Sequence, residues 1–159
     1  MPTAAIHTLG CRLNQADSAL IAGDLRAAGY ELCSWGAPAD LLVINSCTVT
    51  AAAGQKTRQA VRAARRASPD AFVVLAGCCA NIDTTSWLQE EAIDLIVPNP
   101  SKTQLSRLLP SPLARPPAPV LAASGATDPE LLFTEDGCGL YPEKTRANLK
   151  IQEGCDFFC

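Results

Sequence analysis

Two unbroken apolar runs, DLLVINS (40–46) and AFVVLAG (71–77), each lead straight into a cysteine and then a helical pattern. A strand with one wet face alternates apolar and polar residues, whereas a strand apolar at nearly every position has to be covered on both sides. Two such strands separated by helical segments predict an α/β fold, a parallel sheet with helices on both faces.

The rest of the first hundred residues fits that rhythm. TAAIHTLG (3–10) predicts a first strand and residues 14–29 a helix, with Leu20, Ile21, Leu25 and Ala28 on one face and Gly29 as its stop. YELCSW (30–35) predicts a short strand, and residues 51–67 a helix that Thr50 is placed to cap, with Ala60, Val61 and Ala64 on its apolar face. Residues 84–92 read as a short helix, DLIVPN (94–99) as a last strand and 103–109 as a last helix. The pattern then breaks: residues 110–129 hold six of the twelve prolines and no period. The expected organisation is a domain over 1–109, a Pro/Ala-rich linker over 110–136 and the opening of a second domain over 137–159, with a strand at 145–152.

Composition restricts the function classes. With 48% hydrophobic and 18% charged residues the chain is globular, and a net charge of −3 argues against a general nucleic-acid binder. No apolar run is long enough to cross a bilayer and the N-terminus lacks a signal-peptide pattern, so the expected location is cytoplasmic. In a reducing compartment, eight cysteines point to metal ligands, reactive thiols or small core residues rather than disulfides.

Three of the eight share a position. Cys11, Cys47 and Cys78 each follow a predicted strand and precede a helix. A parallel sheet gathers the carboxyl ends of its strands on one edge, where ligands bind and where helix N-termini favour anions. Three thiols from distant parts of the chain are thereby brought to one place. Iron–sulfur clusters take thiolate ligands, and three thiolates leave one iron open. Three buried strand-end cysteines remain the plain alternative.

Read in order, TLGCRLNQADS, NSCTVTAAAGQKTRQAVR, LAGCCA and LKIQEGCDFFC resemble the radical S-adenosylmethionine methylthiotransferases. The resemblance covers the whole chain except the proline-rich stretch. It implies that Cys11, Cys47 and Cys78 ligate an auxiliary [4Fe–4S] cluster. It also implies that Cys155 and Cys159 are the first two thiols of a C-x3-C-x2-C motif holding a second [4Fe–4S] cluster, to which S-adenosylmethionine chelates. The third cysteine of that motif and the barrel around it would then lie beyond residue 159. The family's chemistry uses S-adenosylmethionine and an electron donor to make a radical that takes a hydrogen from tRNA, while the auxiliary cluster presents sulfur; a methyl group completes the methylthio substituent. TLGCRLNQ looks most like the branch acting at C2 of N6-threonylcarbamoyladenosine 37. The isopentenyladenosine 37 branch and the branch modifying a ribosomal-protein aspartate fit less well.

Other residues carry lighter expectations. Asn14 and Asn45 flank two of the cysteines and are placed to orient their loops or to cap helices. Arg58, Arg62, Arg65 and Arg66 read as a solvated helix face with tRNA phosphate contact as the alternative. His7, Cys33 and Cys79 read as packing residues, and Cys138 carries no assignment. Two readings compete with the enzyme: a non-catalytic iron–sulfur module, and a nucleotide-binding domain, which the absence of G-x-G-x-x-G after the first strand disfavours.

Overall fold

The computed structural model describes residues 1–47 and 51–122. Thr50, Cys138, Cys155, Cys159, the strand expected at 145–152 and the linker beyond 122 lie outside the described residues. The elements are β1 (Thr3–Leu9), α1 (Arg12–Ala27), β2 (Glu31–Cys33), β3 (Leu41–Ser46), α2 (Ala51–Ala67), β4 (Phe72–Ala76), α3 (Cys79–Ile82), α4 (Thr84–Trp87), β5 (Leu95–Val97), a 3-10 segment (Asn99–Leu108) and β6 (Val120–Leu121).

The strands form one sheet in the order β2-β1-β3-β4-β5-β6, and every pairing is parallel. All six residues of β3 and all five of β4 are buried, which is why those runs contain no polar alternation. Successive side chains of β3 go to opposite faces. Leu42 and Ile44 pack with Val61, Ala64 and Trp87 of the α2 and α4 side. Leu41 and Val43 pack with Ile21, Leu25 and Leu105 of the α1 and 3-10 side. The α/β sheet covered on both faces is therefore present.

Helix α1 ends as its sequence says. Gly29 takes φ +89° and donates to the carbonyl of Arg26 at 2.9 Å, while Tyr30 N–H reaches Leu25 O at 3.0 Å. Those bonds satisfy carbonyls that the helix end would leave open. Ile21 and Leu25 are buried as expected, whereas Ala28 is exposed at the cap.

Several expectations give way. Residues 113–122, within the stretch expected as an extended linker, touch the domain. Leu113 packs on the core, Arg115 Nε lies 3.1 Å from Asp94 Oδ1, and β6 adds a sixth strand through Val120 N–H to Asp94 O and Ala122 N–H to Ile96 O. Proline lacks the N–H a ladder needs, so pairing waits until the prolines end at Pro119. The helix expected over 84–92 is the single turn α4, which Asp83 at φ −140° separates from the further turn α3 before it. The last helix starts earlier, at Asn99, and is wound as a 3-10 segment broken at Gln104.

The arginine face of α2 is not simply solvated. Arg58 bonds Ser86 and lies over the Trp87 ring at 4.3 Å. Arg62 grips the Glu90 carboxylate at 2.8 Å, and Arg65 bonds Asp94 together with the carbonyls of Pro69, Ala71 and Ala92. These side chains lie along the segment from α4 to β5, so their charge is largely committed inside the chain. His7 is half-buried and stacks on Trp35 at 4.7 Å, and Cys33 packs at the edge of the core with its thiol 3.5 Å from Ala4 O.

Candidate metal-cluster site

Because the order passes from β2-β1 to β3-β4, the strands emerging from β1 and β3 turn to opposite sides of the sheet, leaving a crevice at their carboxyl ends. Cys11 leaves β1 and Cys47 leaves β3 at that crevice, and Cys78 follows β4 next to them. The backbone holds these exits in step: Leu9 pairs with Ser46, Asn45 pairs with Ala76, and Cys47 N–H reaches Leu9 O at 3.1 Å.

A glycine precedes two of the three thiols. Gly10 has φ +126°, and a Cβ there would stand 2.7 Å from the Cβ of Cys47. Gly77 has φ +102°, and a Cβ would stand 2.5 Å from Ser46 O and 2.7 Å from Asn45 Oδ1. Only a residue without a Cβ permits both the left-handed turn and that approach. The cysteine loops are packed on one another through these two positions.

Buried polar side chains set the loops from beneath. Asn45, fully buried, donates to Asn14 O at 2.8 Å and Ser18 Oγ at 2.9 Å, and Thr8 donates to the same Ser18. Asn14 donates to Leu9 O at 3.4 Å and accepts from the Cys11 thiol at 3.4 Å. Asn14 and Asn45 thus orient the loops; the N-cap of α1 is Cys11 itself, without a side-chain cap bond. Ser46 and Thr57 share a hydrogen bond that ties the start of α2 to the end of β3.

The three predicted thiols differ in setting. Cys11 is exposed, Cys47 and Cys78 are half-buried, and Cys79 points into the core. Burial pushes the Cys78 thiol up, the neighbouring Cys47 adds to this, and Lys102 with Asn99 works against it. Cys79, also raised chiefly by burial, is pushed up to about 12, as befits a packing thiol that donates to Ala76 O. A thiol whose ionisation is opposed by burial becomes a better thiolate once a cationic metal centre lies beside it.

Among the described residues no three His, Cys, Asp or Glu side chains converge as ligands of a single metal ion. A cluster asks for something else, one thiolate to each of several irons. Three cysteines on neighbouring strand ends are the thiol donors that a cluster takes. Cys155 and Cys159 cannot be placed relative to it, lying outside the described residues.

Sequence reading missed Asn99, whose amide nitrogen reaches the Cys78 sulfur from the end of β5, and Lys102, which bonds Asn99. The available signal was positional: NPSK follows a strand whose carboxyl end shares the cysteine edge. Gly10 and Gly77 were visible as LGC and AGC.

The matched family profile, described as "Uncharacterized protein family UPF0004", covers residues 3–98, and the chain belongs to that family, the N-terminal methylthiotransferase domain. Curated relatives sharpen the comparison. A protein of Aquifex aeolicus named "Threonylcarbamoyladenosine tRNA methylthiotransferase MtaB" is 37% identical over 155 residues, 98% of this chain and 37% of the relative. Its namesake in Bacillus subtilis is 32% identical over 159 residues, 100% of this chain and 35% of the relative. A "tRNA-2-methylthio-N(6)-dimethylallyladenosine synthase" of Jannaschia sp. is 29% identical over 164 residues, 97% of this chain and 33% of the relative. The chain spans about a third of the length of these relatives. Among the described residues no helix is long and apolar enough to cross a membrane.

Proposed function

We propose that this chain is the sulfur-delivering part of a tRNA methylthiotransferase of the radical S-adenosylmethionine class, with Cys11, Cys47 and Cys78 as ligands of an auxiliary [4Fe–4S] cluster. The observation that supports the reading is the placement of three cysteines just past the carboxyl ends of the neighbouring strands β1, β3 and β4, with Gly10 packed on Cys47 and Cys47 beside Cys78. A cluster bound by three thiolates keeps one iron free for an exogenous sulfur ligand.

The protein's share of the chemistry is placement. Asn14 holds the Cys11 turn, Asn45 locks the Cys47 strand end against α1, and Gly77 lets the Cys78 turn close over Ser46. Such partners would orient the ligand thiols. Cys155 and Cys159 are assigned to the second [4Fe–4S] cluster and to S-adenosylmethionine, on the resemblance of GCDFFC alone.

The substrate we assign is N6-threonylcarbamoyladenosine 37 of tRNA, methylthiolated at C2. TLGCRLNQ and the names of the Aquifex and Bacillus relatives support it; the Jannaschia relative's name supports the neighbouring dimethylallyladenosine branch. An electron donor and tRNA are the implied partners, and a cytoplasmic location follows from that substrate.

The test is anaerobic reconstitution of this chain with iron and sulfide beside a Cys11→Ala/Cys47→Ala/Cys78→Ala variant. Retention of cluster iron, with a [4Fe–4S] electron paramagnetic resonance signal on reduction, is expected only where the three thiols are intact. Equal iron in both proteins, or none in either, refutes the assignment. Mass analysis of tRNA from a deletion strain complemented with the complete gene decides between the two adenosine substrates.

A further inference from the structure

Lys102 and Asp17 form a salt bridge at 2% and 0% exposure, joining residues 85 positions apart. Burying two charges is costly, and an apolar pair of equal volume commonly stabilises a fold as well or better. Their arrangement orients a third residue. The Lys102 ammonium, which has no acceptor, also bonds Asn99 Oδ1 at 2.7 Å. That contact fixes which end of the amide is which, so Asn99 Nδ2 is the end that faces Cys78 Sγ, at 3.6 Å. The backbone N–H of Asn99 is held in turn by Asn81 Oδ1 at 2.9 Å. The Asp17–Lys102 pair thus holds the Asn99 carboxamide with its N–H aimed at a sulfur, while the α3 turn holds its backbone.

We propose that Asn99, locked by the buried Lys102–Asp17 pair, is a positioning residue that donates an N–H to the Cys78 sulfur and makes the cluster on that sulfur easier to reduce. The inference rests on the cluster assignment above. Reduction adds negative charge to the cluster and its thiolates, and a hydrogen bond to sulfur stabilises the more negative state. Such partners of metal ligands tune the centre without touching the metal.

The test uses the chain with Cys155→Ala and Cys159→Ala, so that the Cys11, Cys47 and Cys78 cluster loads alone. Asn99→Leu removes the donor at nearly constant shape; Asn99→Asp removes it while keeping an acceptor for Lys102. After anaerobic reconstitution, iron content, circular dichroism and a potentiometric titration followed by electron paramagnetic resonance are compared with the Asn99 protein. Expected are folded proteins with equal iron and a midpoint potential shifted negative in both variants, further in Asn99→Asp because of its charge. Equal iron with an unshifted Asn99→Leu potential overturns the role of Asn99 and leaves the cluster assignment standing. A folded Asn99→Leu protein without iron makes Asn99 an assembly residue and also overturns it. No iron in the Asn99 protein removes both readings together.

Discussion

Arg65 and Asp94 join helix α2 to the start of β5, with Nη2 2.5 Å from Oδ2 of a carboxylate that is 1% exposed. The same carboxylate accepts the Val73 N–H at 2.8 Å and the Arg115 guanidinium at 3.1 Å. One buried side chain thereby fastens α2, β4, β5 and the approach to β6. Asp94→Ala leaves a largely buried guanidinium and a strand N–H unpaired, an expected loss of about 3–5 kcal/mol. Asp94→Asn keeps an acceptor for Val73 and should lose less. Urea denaturation of the three proteins measures this, and equal midpoints would contradict the arrangement.

Glycines in this chain are not interchangeable. Gly77→Ala forces a Cβ to 2.5 Å from Ser46 O at φ +102°, which costs about 1–3 kcal/mol in backbone strain and displaces the Cys78 turn. Lower stability and lower reconstituted iron are expected together. Gly23, inside α1 with nothing within 4 Å of an added Cβ, is the control: Gly23→Ala should gain about 0.5–1 kcal/mol.

Exposed and buried cysteines should differ sharply in reactivity. In the native, metal-free chain at pH 8, iodoacetamide is expected to modify exposed Cys11 and to spare Cys79, which is buried with its thiol pushed up to about 12. In urea the two should react alike. Peptide mass mapping reads both, and native labelling of Cys79 at its denatured rate would contradict its place in the core.

Acid stability should carry the mark of His7, the chain's one histidine, whose pKa burial holds below its ordinary 6.5. The unfolded chain then takes up a proton first as pH falls. The contribution of His7 is complete above about 6.5 and is lost as pH falls through the lower folded value. Asp40, its carboxylate favoured by hydrogen bonds from Thr3, acts in the same direction below 3.8. Urea midpoints should fall between pH 7 and 5, and His7→Phe, which keeps a ring against Trp35, should flatten that slope.

What could be read from the sequence was what local pattern determines. DLLVINS and AFVVLAG announce central strands because they are apolar on both faces, and their following cysteines are brought together by any parallel arrangement. Partnerships between distant residues left no such trace. Nothing in the sequence around Asp17 names its partner, and only the fold shows it answering Lys102. The arginines of α2 have helical spacing with or without Glu90 and Asp94 opposite them. Strand β6 was hidden because prolines signal a break up to Pro119 while the two residues that pair afterwards, Val120 and Leu121, are too few to form a period.

Strand β6 also fixes a point of departure. The proline-rich passage lies along the amino edge of the sheet, where Pro110, Pro112 and Leu113 meet Pro2 and Asp40 across a cleft of about 460 Å³. From there Val120 and Leu121 carry the chain back across the sheet, parallel to β5, so Ala122 emerges on the cysteine edge. The chain therefore leaves the described domain at the end of the sheet that carries the cysteines, from its outermost strand, two strands away from β4 and Cys78. A segment continuing from there would have only the width of a few strands to cross to reach the cysteines, not the length of the sheet, which raises its effective concentration at them.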